Sequence, residues 1–222
     1  VNSKQDFFDK YELVKKEYGS CHLQQFIAEG GKQFKVQLFL DYCGGLVAST
    51  VIDKIRFYPE KGGSSCCNKT IIDDSLVKLC YNVLKTINWV GFADFDLIQD
   101  PKTGESKIME INPRVPACIK SSIVSGIDFA TIIANKTLGL KLENYSYTPN
   151  KYLRYFGLYL LWFLFSKNRF KTDPNWFKLF SKNTYYQEGS LDDIMPFMYG
   201  TVGGFLKQLN PSFRKKESGI RK

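Results

Sequence analysis

Gly91-Phe92-Ala93-Asp94-Phe95-Asp96-Leu97-Ile98-Gln99-Asp100-Pro101-Lys102-Thr103-Gly104-Glu105-Ser106-Lys107-Ile108-Met109-Glu110-Ile111-Asn112-Pro113-Arg114 reads as two strands around a turn. Asp100 to Gly104 carries the turn chemistry of a short loop between antiparallel strands. Because side chains alternate along a strand, Phe92, Asp94, Asp96 and Ile98 share one face, as do Ile108, Glu110 and Asn112 on the return strand. Folding about Thr103 opposes Ile98 to Ile108, Asp96 to Glu110 and Asp94 to Asn112. Carboxylates directly opposed across a strand pair repel, so a largely apolar hairpin that opposes them predicts a cation between them. A solvated face whose charges point into water is the other reading. Oxygen donors without His or Cys suit a hard ion such as Mg²⁺, which takes one or two carboxylates and completes its shell with phosphate oxygens.

Gly91, Asp96 and the run Glu110-Ile111-Asn112-Pro113-Arg114 resemble the metal-binding core of the ATP-grasp superfamily, in the form seen in biotin carboxylase and carbamoyl-phosphate synthetase. The resemblance implies that Asp96, Glu110 and Asn112 hold Mg²⁺, with Mn²⁺ as a possible substitute, bridging the phosphates of ATP. It implies that Arg114 meets the phosphoryl group or the acceptor substrate. Asp94, on the same face, rivals Asp96 as the first ligand.

Working outward, Leu23 to Ile27 reads as a strand, Lys32 to Leu40 as a second with Phe34, Val36, Leu38 and Leu40 on one face, and Leu46 to Phe57 as a third; the last two form a meander. By resemblance, Gln24, Gln25, Phe26 and Ile27 match the hinge that binds adenine, and Gln33 stands where relatives often carry an acid. Lys54 and Arg56 alternate onto one face before the loop Lys61-Gly62-Gly63-Ser64-Ser65, a pattern that suits an anion site. Lys54 thus joins the nucleotide-binding set, and Arg56 becomes a candidate for substrate or phosphoryl contact, against a surface salt bridge. The loop is not a Walker A motif, since no Gly-Lys-Ser/Thr follows it at the right spacing.

Residues 3 to 18 read as a helix capped by Ser3 and followed by Gly19, and Asp73 or Asp74 caps another running to about Asn88 with a Leu76, Cys80, Val83, Leu84, Ile87 stripe. Asp128 caps a third, through Phe129, Ile132 and Ile133, ended near Gly139. Between Arg114 and that cap, Lys120, Ser121 and Ser122 are substrate-contact candidates by resemblance. Tyr155 to Phe165 is an apolar run too short to span a bilayer as a helix, which takes about 20 residues. It is expected to pack across the domain, with a membrane-interface helix as the weaker alternative. Asp192 to Leu209 reads as a last helical region interrupted by Pro196 and Gly203-Gly204, and the basic tail 212–222 as disordered.

At 222 residues, 44% hydrophobic and 24% charged, the chain can build a sizeable core. Its net charge of +9 admits nucleic acid, an anionic surface, a phosphorylated ligand or plain solvation. No nucleic acid or membrane partner is expected. Six cysteines at 21, 43, 66, 67, 80 and 118 lack C-x-x-C spacing, which argues against a disulfide framework or zinc site and predicts reduced thiols of a cytoplasmic protein. The single His22 makes His-rich metal sites and His-dependent triads improbable. Val1 in place of Met suggests a fragment.

The sequence therefore predicts an α+β fold, an ATP-grasp C-terminal lobe with an antiparallel sheet backed by helices. Residues 1–19 are expected to end the N-terminal lobe, 20–140 to carry the nucleotide and metal site, and 141–222 to pack on it as an extension. The missing N-terminal domains are expected partners. By resemblance, the parent is an ATP-grasp ligase that activates a carboxylate as an acyl phosphate for attack by an amine. A bicarbonate-activating enzyme and a non-catalytic nucleotide-binding module are the alternatives.

Overall fold

The computed structural model describes residues 3–190 and 192–209. Among the described residues seven strands form one sheet: β1 (Gln33–Leu40), β2 (Leu46–Tyr58), β3 (Ser64–Ile71), β4 (Gly91–Gln99), β5 (Ser106–Asn112), β6 (Tyr152–Arg154) and β7 (Thr184–Tyr186), ordered β5-β4-β1-β2-β3-β6-β7. The α-helices of the described residues are α1 (Lys4–Tyr18), α2 (Asp74–Thr86), α3 (Lys120–Ser125), α4 (Phe129–Thr137), α5 (Phe156–Phe165) and α6 (Met195–Leu209). The fold is α+β. All neighbouring strands are antiparallel except β6 and β7, which pair in parallel, a departure from the all-antiparallel expectation.

The alternation in β1 separates two layers. Phe34, Val36, Leu38 and Leu40 face Val51 of β2 and Ala93, Phe95 and Leu97 of β4, beneath Leu76, Cys80 and Leu84 of α2. Each such side chain taken from water contributes about 1.5–3 kcal/mol, so this layer anchors β1 and β4. Asp73 starts α2 by accepting the amides of Ser75 and Leu76, both at 3.1 Å. On the opposite face, Phe39 and Ala48 pack with Ile127, Phe129 and Ile132 at the start of α4, whose cap is Asp128 as expected. The β1 residues between Phe34 and Phe39 that point to this second face are Lys35 and Gln37, and they are polar.

The extension continues the sheet. Tyr159 and Trp162 of α5 pack on Cys66 and Cys67 of β3, so the apolar run is a packed helix. Among the described residues no single helix is long and apolar enough to cross a membrane, although α3 with its preceding turn and α4 together pass on length and composition, bent by 86°.

Four local expectations are corrected. Leu23 to Ile27 forms no strand, because no backbone ladder forms there, and Phe26 stands 87% exposed. Lys61 to Ser65 is no open anion loop: it is the tight turn into β3, which was missed because Asn68, Lys69 and Thr70 hide its strand character. Gly63 is required there, since a Cβ would lie 2.0 Å from the Pro59 carbonyl oxygen. A bulge between Asp96 and Leu97 puts Ile98 opposite Lys107 and Leu97 opposite Ile108, which keeps both leucine-type side chains on the core face. Finally, α6 runs unbroken through Gly203-Gly204, and Pro196 sits in its first turn, where no amide is needed. The tail 212–222 lies outside the described residues.

Candidate active site

The second face of β1, β2 and β4 collects charge. Register places Lys35 opposite Asp96 and Gln37 opposite Asp94. Lys35 Nζ donates to Asp94 Oδ2 at 2.6 Å and to Asp96 Oδ2 at 2.9 Å. Lys54 Nζ, from β2, donates to Asp96 Oδ1. Asp94 is fully buried, and Gln37 Nε2 reaches its other oxygen at 3.3 Å. Behind it, Ser122 Oγ donates to Gln37 Oε1 at 2.6 Å and lies 2.6 Å from Thr50 Oγ1. A chain of hydrogen bonds thus runs from α3 to the carboxylates.

Burial and charge pull these groups apart. Burial pushes the Asp94 carboxyl above its ordinary range, and Lys35 only partly offsets this. Burial acts the same way on Asp96, but the Lys54 and Lys35 ammoniums outweigh it and hold that carboxyl below the usual range. Burial disfavours the Lys35 ammonium as well, yet Asp94 and Asp96 raise it on balance.

On β5, Glu110 lies opposite Asp96 and Asn112 opposite Asp94, the pairing read from the sequence. Asn112 Nδ2 donates to Glu110 Oε1 at 2.9 Å, and Glu110 is exposed. Arg114 follows the strand end, exposed. Gln33 is half-buried between Ile98 and Lys54 in the register. Gln24 holds its segment to the β5 edge through Nε2 and the Met109 carbonyl oxygen at 2.8 Å, while Gln25 and Phe26 are exposed and Ile27 half-buried. Ser121 is buried, and Lys120 Nζ donates to the Gly189 carbonyl oxygen at 2.5 Å.

Arg56 is elsewhere. The residue is buried, and its guanidinium donates to Tyr159 Oη and the Pro174 carbonyl oxygen and lies over the Trp162 ring, 4.7 Å from its centroid. It therefore packs the α5 extension and does not approach Asp96; the bulges in β2 on either side of it accompany this turn away from the Lys54 face. Sequence reasoning missed Lys35 and Gln37, although polar residues alternating at 33, 35 and 37 opposite an apolar stripe were a visible signal.

Asp94, Asp96, Glu110 and Asn112 give an all-oxygen set on one face of the hairpin. Among the described residues no three His, Cys, Asp or Glu side chains gather around a common point. Oxygen donors of this kind would suit a hard cation that brings phosphate oxygens of its own, since Asp96, Glu110 and Asn112 would fill only half of an octahedral shell. Lys35 and Lys54 lie against the aspartates of that set.

No protein-family model matches the chain, and no curated protein matches it. Solved structures do. A biotin carboxylase from Campylobacter jejuni, in a β,γ-ATP complex, superposes with a TM-score of 0.50 at 18% identity over 67% of this chain and 35% of that one. The biotin carboxylase domain of a thermophilic 2-oxoglutarate carboxylase bound to bicarbonate gives 0.51 at 17% identity, over 67% and 35%. Rhizobium etli pyruvate carboxylase with acetyl coenzyme A gives 0.53 at 15% identity, over 68% of this chain and 15% of that one. Over about two thirds of its length this chain shares the fold of these biotin carboxylase domains, the ATP-grasp fold. It spans about a third of the length of the first two structures.

Proposed function

We propose that the protein is an ATP-dependent ligase of the ATP-grasp type, and that this chain is the C-terminal lobe carrying its Mg-ATP site. The observation that carries the reading is the register of β4 and β5. It opposes Asp96 to Glu110 and Asp94 to Asn112 on one face, beside two lysines, on this fold. ATP, when bound, supplies a γ-phosphoryl group whose transfer depends on positioning and charge neutralisation.

In this reading Asp96 and Glu110 ligate Mg²⁺ and Asn112 completes their side of the shell. Lys54 and Lys35 face the phosphates. Arg114, exposed at the strand end, reaches the transferring group or the acceptor. Gln33 and the segment Gln24 to Ile27 are offered to the nucleotide base and ribose, with Gln24 tying that segment to β5. The substrate is a carboxylate, activated as an acyl phosphate and attacked by an amine. Bicarbonate in the carboxylate's place is the second reading, favoured by the bicarbonate-bound structural neighbour. Arg56 is left out of the machinery, because its donors serve the extension.

The test is ADP release by the full-length protein with Mg-ATP, in a panel of carboxylates with amines and in bicarbonate. Release that requires one carboxylate and an amine supports the main reading, and release that requires bicarbonate alone supports the second. No Mg-ATP binding and no release in any mixture would contradict both.

A further inference from the structure

Both oxygens of Asp96 accept from a lysine. Lys54 takes Oδ1, and Lys35 takes Oδ2 at 2.9 Å while also holding Asp94 at 2.6 Å. The ammonium-bearing side chains keep only 15% and 13% of their surface in water, and Asp94 keeps none. Each aspartate has a lysine Nζ set against it, which offsets the attraction of that carboxylate for a free divalent cation. On β5, the Glu110 carboxylate already accepts from Asn112. A metal ion on Asp96 would sit beside a lysine ammonium on either oxygen, and relieving that repulsion calls for a lysine to move aside. A withdrawn ammonium in so sheltered a place, without a partner, carries a heavy desolvation cost.

A polyphosphate resolves both problems together. Its oxygens complete the metal's shell, and its negative charge accepts the displaced lysine. We propose that Lys35 and Lys54 lock Asp96 against free divalent cations, so that metal enters only as its polyphosphate complex. This rests on the nucleotide reading above and adds two specificity-determining residues to it. The roles divide by connectivity. Lys54 holds one oxygen of one carboxylate and is the half that leaves. Lys35, shared between Asp94 and Asp96, stays and fixes both carboxylates for the incoming ion.

The experiment measures Mn²⁺ uptake by electron paramagnetic resonance in the full-length protein, with Mn²⁺ alone, Mn-tripolyphosphate and Mn-ATP. Lys54→Gln removes the charge and retains a donor for Asp96; Lys54→Met is a second neutral variant should that one fold poorly, and Lys54→Arg retains the charge. The expected result is that the neutral variants bind Mn²⁺ alone at least about tenfold more tightly than wild type and Lys54→Arg. Adding Asp96→Asn abolishes the gain, and wild type takes up metal with tripolyphosphate. Equal affinity of wild type and neutral variants for Mn²⁺ alone overturns the lock, as does wild type that takes up neither polyphosphate complex. Uptake with tripolyphosphate but not with ATP keeps the lock and removes the nucleotide reading.

Discussion

Replacing Lys35 by Met isolates the buried charge cluster from the rest of the fold. The methylene stem keeps its packing, while Asp94 loses its ammonium at 2.6 Å and Asp96 one of its two. Breaking a buried ion pair by removing one partner costs about 3–5 kcal/mol. In a chain of this size each kcal/mol moves Tm by about 2–4 °C, so a fall of roughly 6–20 °C at pH 7 is expected. The sign with pH follows from Asp94, whose carboxyl burial already pushes up and whose main opposing charge is Lys35. With Lys35 gone the folded-state value rises further. A raised acid stabilises the fold below its unfolded value of about 3.9, and that contribution is lost as pH rises through the folded value. The Tm deficit of Lys35→Met against wild type should therefore shrink as pH falls toward about 4. Thermal melts of Lys35→Met, Asp94→Asn and the double variant, from neutral to acid pH, read this directly. The double variant should recover most of the loss at pH 7, because the two residues are coupled. A Lys35→Met Tm indistinguishable from wild type at neutral pH, or strictly additive losses in the double variant, would refute the reasoning.

Arg56→Ala should lower Tm through loss of its Tyr159, Trp162 and Pro174 contacts and leave any Mg-ATP shift unchanged; loss of the shift at constant Tm would return Arg56 to the site. Ser122→Ala breaks a buried link to Gln37 and Thr50 and should cost about 1–3 kcal/mol in denaturant unfolding; no change in midpoint would contradict the network. Trp162→Ala, at the centre of the α5 cluster, should cost about 3–5 kcal/mol by the same measurement, and a loss far below that would mean α5 does not close the core.

What was legible in the sequence was what period two and turn chemistry dictate. The alternation in β1 and β4 and the Asp100 to Gly104 turn gave the hairpin and the Asp96–Glu110 and Asp94–Asn112 pairs, but Ile108, expected on the face of Glu110 and Asn112, lies on the core face with Leu97. The bulge at Asp96/Leu97 was not visible, because a one-residue insertion leaves both strands' compositions intact. β3 was hidden because its neighbours, and not its own residues, make Asn68 and Thr70 buried strand positions. The segment Leu23 to Ile27 has strand-like composition, but composition cannot supply a pairing partner. At the site, the carboxylates were readable from the motif. The lysines on them were not, since Lys35 and Lys54 meet Asp96 only through the β2-β1-β4 order, a long-range feature no local pattern encodes.

Whether the Asp96–Glu110 face holds Mg²⁺ with nucleotide is read from the Mg-ATP-induced shift in Tm of wild type and Glu110→Gln, on the full-length protein. Without ligand, Glu110→Gln should be neutral or slightly stabilising, by about 0.2–1 kcal/mol, because it relieves a like-charge cross-strand pair. With Mg-ATP, wild type should gain stability from binding, and Glu110→Gln should lose most of that gain. A Glu110→Gln variant that keeps the full Mg-ATP shift would show that Glu110 is not a ligand, and the assignment of Asp96 and Asn112 would fall with it.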